Sequence, residues 1–219
     1  MTTIHWLNDG KNEGGVAERQ FVIKGGKGPV PGIIWAPDPV ESPVPLVLFG
    51  HGGSGHKRND RSLMLGRRLA GVSRYAVVAI DGPTHGDRAH PQSVSEGVDP
   101  MEVLADIGVD TALDGMVEDW CATLDHVTEC DFINPDQVAY VGFSMGTRFG
   151  LPFVAAAGGR LRCAVLGKTP LNLRINPAWQ TVQGIGSRWM RQKSLFQCCF
   201  ICNGTMSCYP ENHNAVCLT

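Results

Sequence analysis

One stretch constrains this chain more than any other: the apolar run at residues 138–141 followed by Gly142-Phe143-Ser144-Met145-Gly146 and then by helix-forming sequence from Met145 to Ala157. A serine on so sharp a turn between a strand and a helix must take a strained backbone conformation. Glycines two places before and two places after it let strand and helix pass without a Cβ clash, and the hydroxyl is pushed out at the end of the strand. The arrangement calls for a strand with a helix packed back over it, which is the repeating unit of a parallel sheet.

The rest of the chain can supply that sheet. Residues 18–24 and 32–35 read as two short strands joined by Gly25-Gly26-Lys27-Gly28-Pro29, an antiparallel opening hairpin. Residues 45–49 are continuously apolar and stop at Gly50-His51-Gly52-Gly53, as expected of a strand buried on both faces. Residues 58–70 read as a helix with Leu63, Leu69 and Ala70 inward, and residues 75–80 as the next buried strand, ending in a polar loop from Asp81 to Arg88. Residues 89–110 carry Pro91 and Pro100 without a firm period and read as a long loop with one helical turn. Leu113, Met116, Val117, Trp120, Leu124 and Val127 recur at helical spacing over residues 111–129, and residues 162–166 form one more strand. Strands alternating with helices predict a mostly parallel sheet covered on both faces.

A chain of 219 residues suits one buried core, and 43% hydrophobic with 18% charged residues is ordinary globular usage. The net charge of −2 offers no basic surface for phosphates, which argues against nucleic acid as a partner and for a small neutral substrate. No run approaches 18 apolar residues, so no membrane span is expected, and the start, Met-Thr-Thr-Ile-His-Trp, lacks the basic end and apolar run of a secretion signal. A cytoplasmic chain is the expectation.

Three segments carry chemistry: His51-Gly52-Gly53-Ser54-Gly55 after the first buried strand, Asp81-Gly82-Pro83-Thr84-His85-Gly86-Asp87-Arg88 after the second, and the turn at Ser144. With these, residues 18–168 resemble an α/β-hydrolase of the dienelactone-hydrolase-like or small-esterase branch. The resemblance implies hydrolysis of small carboxylic esters through an acyl-enzyme on Ser144, with no cofactor and no metal. It implies an oxyanion hole from the backbone N–H groups of Met145 and Gly53, with Gly52 as the alternative donor and His51 ordering the loop. True dienelactone hydrolases use cysteine as nucleophile, and the serine here favours the carboxylesterase side. His85 and His90 with Asp81 and Asp87 are read as side chains that fix a turn, and His5, His56 and His126 as surface or partly buried residues.

The chain departs from that family after the turn. Residues 1–168 form the hydrolase core, and residues 169–219 form a Cys-rich tail in place of the usual C-terminal part of the domain, so the last strand or strands of the sheet are expected to be missing. The family order places the triad acid and base after the serine, yet every acidic residue except Glu211 lies at or before Asp136, and His213 is the sole histidine beyond Ser144. His213 is therefore the one surrogate base on offer, in a segment with no strand or helix pattern. Five cysteines crowd residues 198–217 without the paired spacing of a zinc knuckle, and disulfides do not suit a cytoplasmic chain. Back-translated and read two nucleotides out of frame, residues 197–210 permit Val-Leu-Phe-His-Leu-Gln-Trp-Asp-Asp-Glu-Leu-Leu-Pro, a strand and then an Asp-bearing loop. A frameshift between about residues 169 and 197 accounts for the cysteines and the missing acids together. The alternative to an active esterase is then a catalytically impaired or non-catalytic hydrolase-like protein. An uncovered sheet edge would also favour homo-oligomers.

Overall fold

The structure, a computed structural model, describes residues 4–167 and the backbone of residues 198–202 and 205–209. Its centre is one mixed sheet. Strands β1 (His5–Trp6) and β2 (Lys11–Glu13) flank the long hairpin of β3 (Val16–Gly25) and β4 (Gly28–Pro37). The hairpin predicted from residues 18–24 and 32–35 is thus present but longer at both ends. There follow β5 (Val44–Gly50), helix α1 (Asp60–Ser73), β6 (Ala76–Ile80), helices α2 (Pro91–Ser95), α3 (Pro100–Ile107) and α4 (Val109–Val127), β7 (Ile133–Phe143), α5 (Met145–Ala157) and β8 (Cys163–Gly167). The order across the sheet is β1-β3-β4-β6-β5-β7-β8, with β6, β5, β7 and β8 mutually parallel and β4 antiparallel to β6.

Both faces of the parallel strands are covered, which is why their sequences do not alternate. Leu46, Leu48, Val78 and Ile80 point into a core with Trp120, Phe149 and Phe153 of α4 and α5. Val47, Phe49, Val77 and Ala79 point the other way, onto Trp35 and Ala70 with Leu63 and Leu69 of α1 packed against them.

Residues 89–110 correct the expected loop. They hold two helices, and each proline stands at the first helical position. Proline lacks an N–H, but the first N–H groups of a helix have no partner within it, so proline there opens a helix instead of breaking one. The His90 ring and the Asp99 carboxylate cap these helices by accepting from the backbone N–H of Gln92 and Met101.

Beyond β8 the sheet continues as an antiparallel pair, β9 (Cys198–Cys202) against β8 and β10 (Thr205–Tyr209) against β9. The edge of β8 is therefore paired, not open as expected, and the parallel run of the sheet stops at β8 among the described residues. Residues 168–197 and 210–219, which hold Glu211 and His213, lie outside the described residues, as does most of the tail expected to be frameshifted. Among the described residues no helix is long and apolar enough to cross a membrane.

Candidate active site

The chain crosses from one side of β5 to the other: β6 lies on one flank and β7 on the other. Loops leaving the ends of β5 and β7 therefore diverge and open a crevice, the place where open α/β sheets hold ligands. Gly50 at the end of β5 stands in register with Gly142 on β7, which brings the His51–Gly55 loop beside the turn at Ser144.

Ser144 adopts φ 57° and ψ −112°, outside the regions open to most L-residues. The surrounding bonds hold it there. Its N–H donates to the carbonyl of Gly167 on β8 at 3.0 Å, and its own carbonyl accepts from Thr147 and Arg148 as the first turn of α5 begins. The buried Thr147 hydroxyl lies 2.8 Å from the carbonyl of Gly142 and 2.6 Å from that of Gly167, bridging β7, β8 and α5. The flanking glycines are required by space: a Cβ on Gly142 would sit 2.4 Å from the carbonyl oxygen of Gly146, and a Cβ on Gly146 would sit 2.2 Å from that of Gly50. Among the described residues the Ser144 side chain makes no hydrogen bond, and it stands at the N-terminus of α5, where the helix dipole favours negative charge.

Across the crevice, a Cβ built on Gly53 would lie 3.9 Å from the Cβ of Met145 and 3.3 Å from the Sδ of Met101 on α3. Gly53, Met145 and Ser144 are thus assembled at one place, with Gly52 close by, and Met101 forms an adjoining wall. The N–H of Met145 is among the first of α5 and has no partner within the helix.

Two loops are tied together beneath this place. The N–H of Gly82 donates to Nε2 of the buried His51 at 2.9 Å, so the ring proton sits on Nδ1, which lies 2.8 Å from the carbonyl of Gly52. Burial lowers the His51 pKa to about 4, with the neighbouring His85 acting in the same direction and the Gly52 carbonyl opposing them. His85, also buried, places Nε2 2.7 Å from the carbonyl of Gly53 and Nδ1 2.7 Å from that of Pro83. The carboxylate of Asp81, fully buried, accepts from the backbone N–H of Lys57 at 2.8 Å, from its ammonium at 2.6 Å and from the N–H of Asp87 at 2.9 Å. Arg88 reaches the carbonyl of Asp81 at 3.1 Å and the buried carboxylate of Asp119 at 2.7 Å. Burial raises the Asp119 pKa against the pull of Arg88.

Lys57, Met101 and the contact of His85 with Gly53 were not foreseen from the sequence. Each joins residues far apart in the chain, and no local spacing signals such a pair. His126, read from the sequence as a surface or partly buried residue, is buried on α4. An open depression of about 570 Å³ lined by Lys24, Asp125, His126 and Arg160 includes none of the site residues.

No family model matches this chain, and no curated protein matches it either. Among solved structures it is similar to a cold-adapted esterase from an Arctic intertidal metagenomic library, at 30% identity over 73% of this chain and 63% of that one, with a TM-score of 0.58. The chain therefore spans somewhat under two thirds of that esterase. An acetyl xylan esterase from Paenibacillus sp. R4 is 22% identical over 74% of this chain and 52% of that one, with a TM-score of 0.54. The protein m3DLH is 21% identical over 80% and 78% of the two chains, with a TM-score of 0.53. The latter two likenesses speak for the fold alone. With its strand order, the strained serine at the strand-to-helix turn and these neighbours taken together, the chain has the α/β-hydrolase fold.

Proposed function

We propose that this site cleaves small carboxylic esters through an acyl-enzyme on Ser144. The observation that carries the reading is the conformation of Ser144, φ 57° and ψ −112°, held between two glycines that admit no Cβ and next to Met145, which lies beside Gly53. Strain of this kind persists only where the surroundings enforce it, and it gathers at reacting groups. In the proposed reaction Ser144 Oγ bonds to the ester carbonyl carbon, the alcohol leaves with a proton, and water then releases the acid. The N–H groups of Met145 and Gly53 stabilise the oxyanion, with the N-terminal end of α5 adding favourable charge. The likeness to a cold-adapted esterase supports this substrate class, and Met101 beside Gly53 would bound the space for the acyl or alcohol group.

A second reading, a catalytically impaired relative, is favoured by one observation. Both histidines at the site are occupied by backbone groups, and among the described residues none is bonded to Ser144. Removing triad members from a serine hydrolase leaves about 10³ to 10⁴ over water from the oxyanion hole and binding. Hydrolysis of a short-chain nitrophenyl ester by the wild type and by Ser144→Ala separates the two. Turnover or a burst lost in the variant supports an activated Ser144 and directs the search for a base to the tail, His213 included. Equal rates in both proteins sink the esterase reading.

A further inference from the structure

The histidines of the two site loops are exchanged. His51 of the β5 loop accepts from Gly82 of the β6 loop at 2.9 Å, and His85 of the β6 loop places Nε2 2.7 Å from the carbonyl of Gly53 in the β5 loop. A carbonyl oxygen only accepts, so the Gly53 contact needs a proton on Nε2 of His85, as the equally short Pro83 contact needs one on Nδ1.

These bonds act on consecutive peptide planes. In a trans peptide the N–H points opposite the C=O that precedes it. His51 holds the Gly52 carbonyl, which also accepts from Gly55 at 3.0 Å, and this turns the N–H of Gly53 away from His51. His85 holds the next carbonyl, that of Gly53 itself. Gly53 has no Cβ to limit its rotation, so with one plane held it could still swing, and with both held its dihedrals are set. Buried rings fix the clamp: His85 is 4% exposed and its ring lies 5.4 Å from that of His51.

We propose that His85 is a positioning residue of this site, whose Nε2–H holds the Gly53 carbonyl and so, with the plane of the Gly53 N–H already held through the Gly52 carbonyl, fixes the Gly53 dihedrals and the course of the loop beside Met145. The inference rests on the ester-hydrolase reading for its purpose but not for its geometry.

The test compares the wild type with His85→Leu and His85→Gln, whose side-chain amide can still donate to the same carbonyl. Two quantities are read in the full chain: the rate constant and saturation constant for labelling of Ser144 by a fluorophosphonate, followed by intact mass, and the backbone amide resonances of Gly53 and Ser54 in the ¹⁵N-labelled protein. His85→Leu should slow labelling ~100-fold with little change in the saturation constant, the size expected when a reacting group is misplaced by about 1 Å. It should also move the Gly53 and Ser54 resonances, and His85→Gln should restore most of both. Unmoved resonances, or a glutamine variant no better than leucine, overturn the proposal even if the leucine variant folds poorly. A wild type that is never labelled at Ser144 overturns the ester-hydrolase reading instead, and the resonances still decide whether His85 sets the loop.

Discussion

Gly146 packs against the carbonyl of Gly50 so closely that a Cβ on Gly146 would lie 2.2 Å from the oxygen and 2.6 Å from its carbon. The contact joins the first turn of α5 to the end of β5 through backbone alone, and the Tyr140 hydroxyl, which donates to the Gly146 carbonyl at 2.7 Å, locks it from the other side. Neither partner has a flexible end that can give. Gly146→Ala is therefore expected to lower stability by about 2 kcal/mol or more through overpacking, and to lower Ser144 labelling by more than the fraction unfolded. Urea unfolding together with fluorophosphonate labelling of the folded fraction checks this, and wild-type values on both would contradict the account.

The Lys57 ammonium is shared between two unequal acids. Asp81 is fully buried and 2.6 Å away, while the side chain of Asp87, at 2.5 Å, is 65% exposed. Breaking a buried pair leaves an uncompensated charge, whereas exposed pairs are screened by water. Asp81→Asn should cost about 3 kcal/mol, and Asp87→Asn about 1 kcal/mol or less. Denaturant midpoints of the two variants should separate in that order, and equal midpoints would place the stabilisation elsewhere.

The neutral form of His51 is the one the fold uses, because Nε2 must accept from Gly82. Its pKa is lowered from 6.5 to about 4, chiefly by burial. A base with a depressed folded pKa contributes stability that is present above pH 6.5 and lost as the pH falls toward 4, as the unfolded chain takes up the proton first. The loss amounts to about 3 kcal/mol at most. Wild type and His51→Gln, measured by urea unfolding from pH 7.5 to pH 4, should converge by that amount as the pH falls. Parallel curves would show that His51 titrates normally.

Helix α1 meets the sheet at Gly66, where a Cβ would lie 2.3 Å from the ring of Trp35. Trp35 is fully buried, and its indole N–H donates to Glu18 at 2.8 Å, so the ring cannot move aside without losing that bond. Gly66→Ala raises helix propensity yet should destabilise by about 2 kcal/mol, since overpacking outweighs the ~1 kcal/mol gained in the helix. Thermal unfolding of the variant tests which effect wins.

Much of the fold was legible because it rests on local pattern. Residues 45–49 and 75–80 are apolar on both faces, and the structure buries both faces of β5 and β6. The turn at Ser144 was legible for the same reason: the glycine spacing answers a clash between neighbouring backbones. Residues 89–110 were misread because proline opens a helix as readily as it breaks one, and only the chain around it shows which.

The sequence by itself determined the alternation of strands and helices, the place of the serine turn and the glycine loops beside it, since these follow from periodicity and backbone sterics within a few residues. It also showed that acids and histidines all but vanish after Ser144. Only the tertiary structure decided that Asp81 pairs with Lys57, that His51 and His85 are exchanged between two loops, and that Met101 stands against Gly53. These contacts depend on which strand ends the sheet brings side by side, and that order is set by the packing of the whole core.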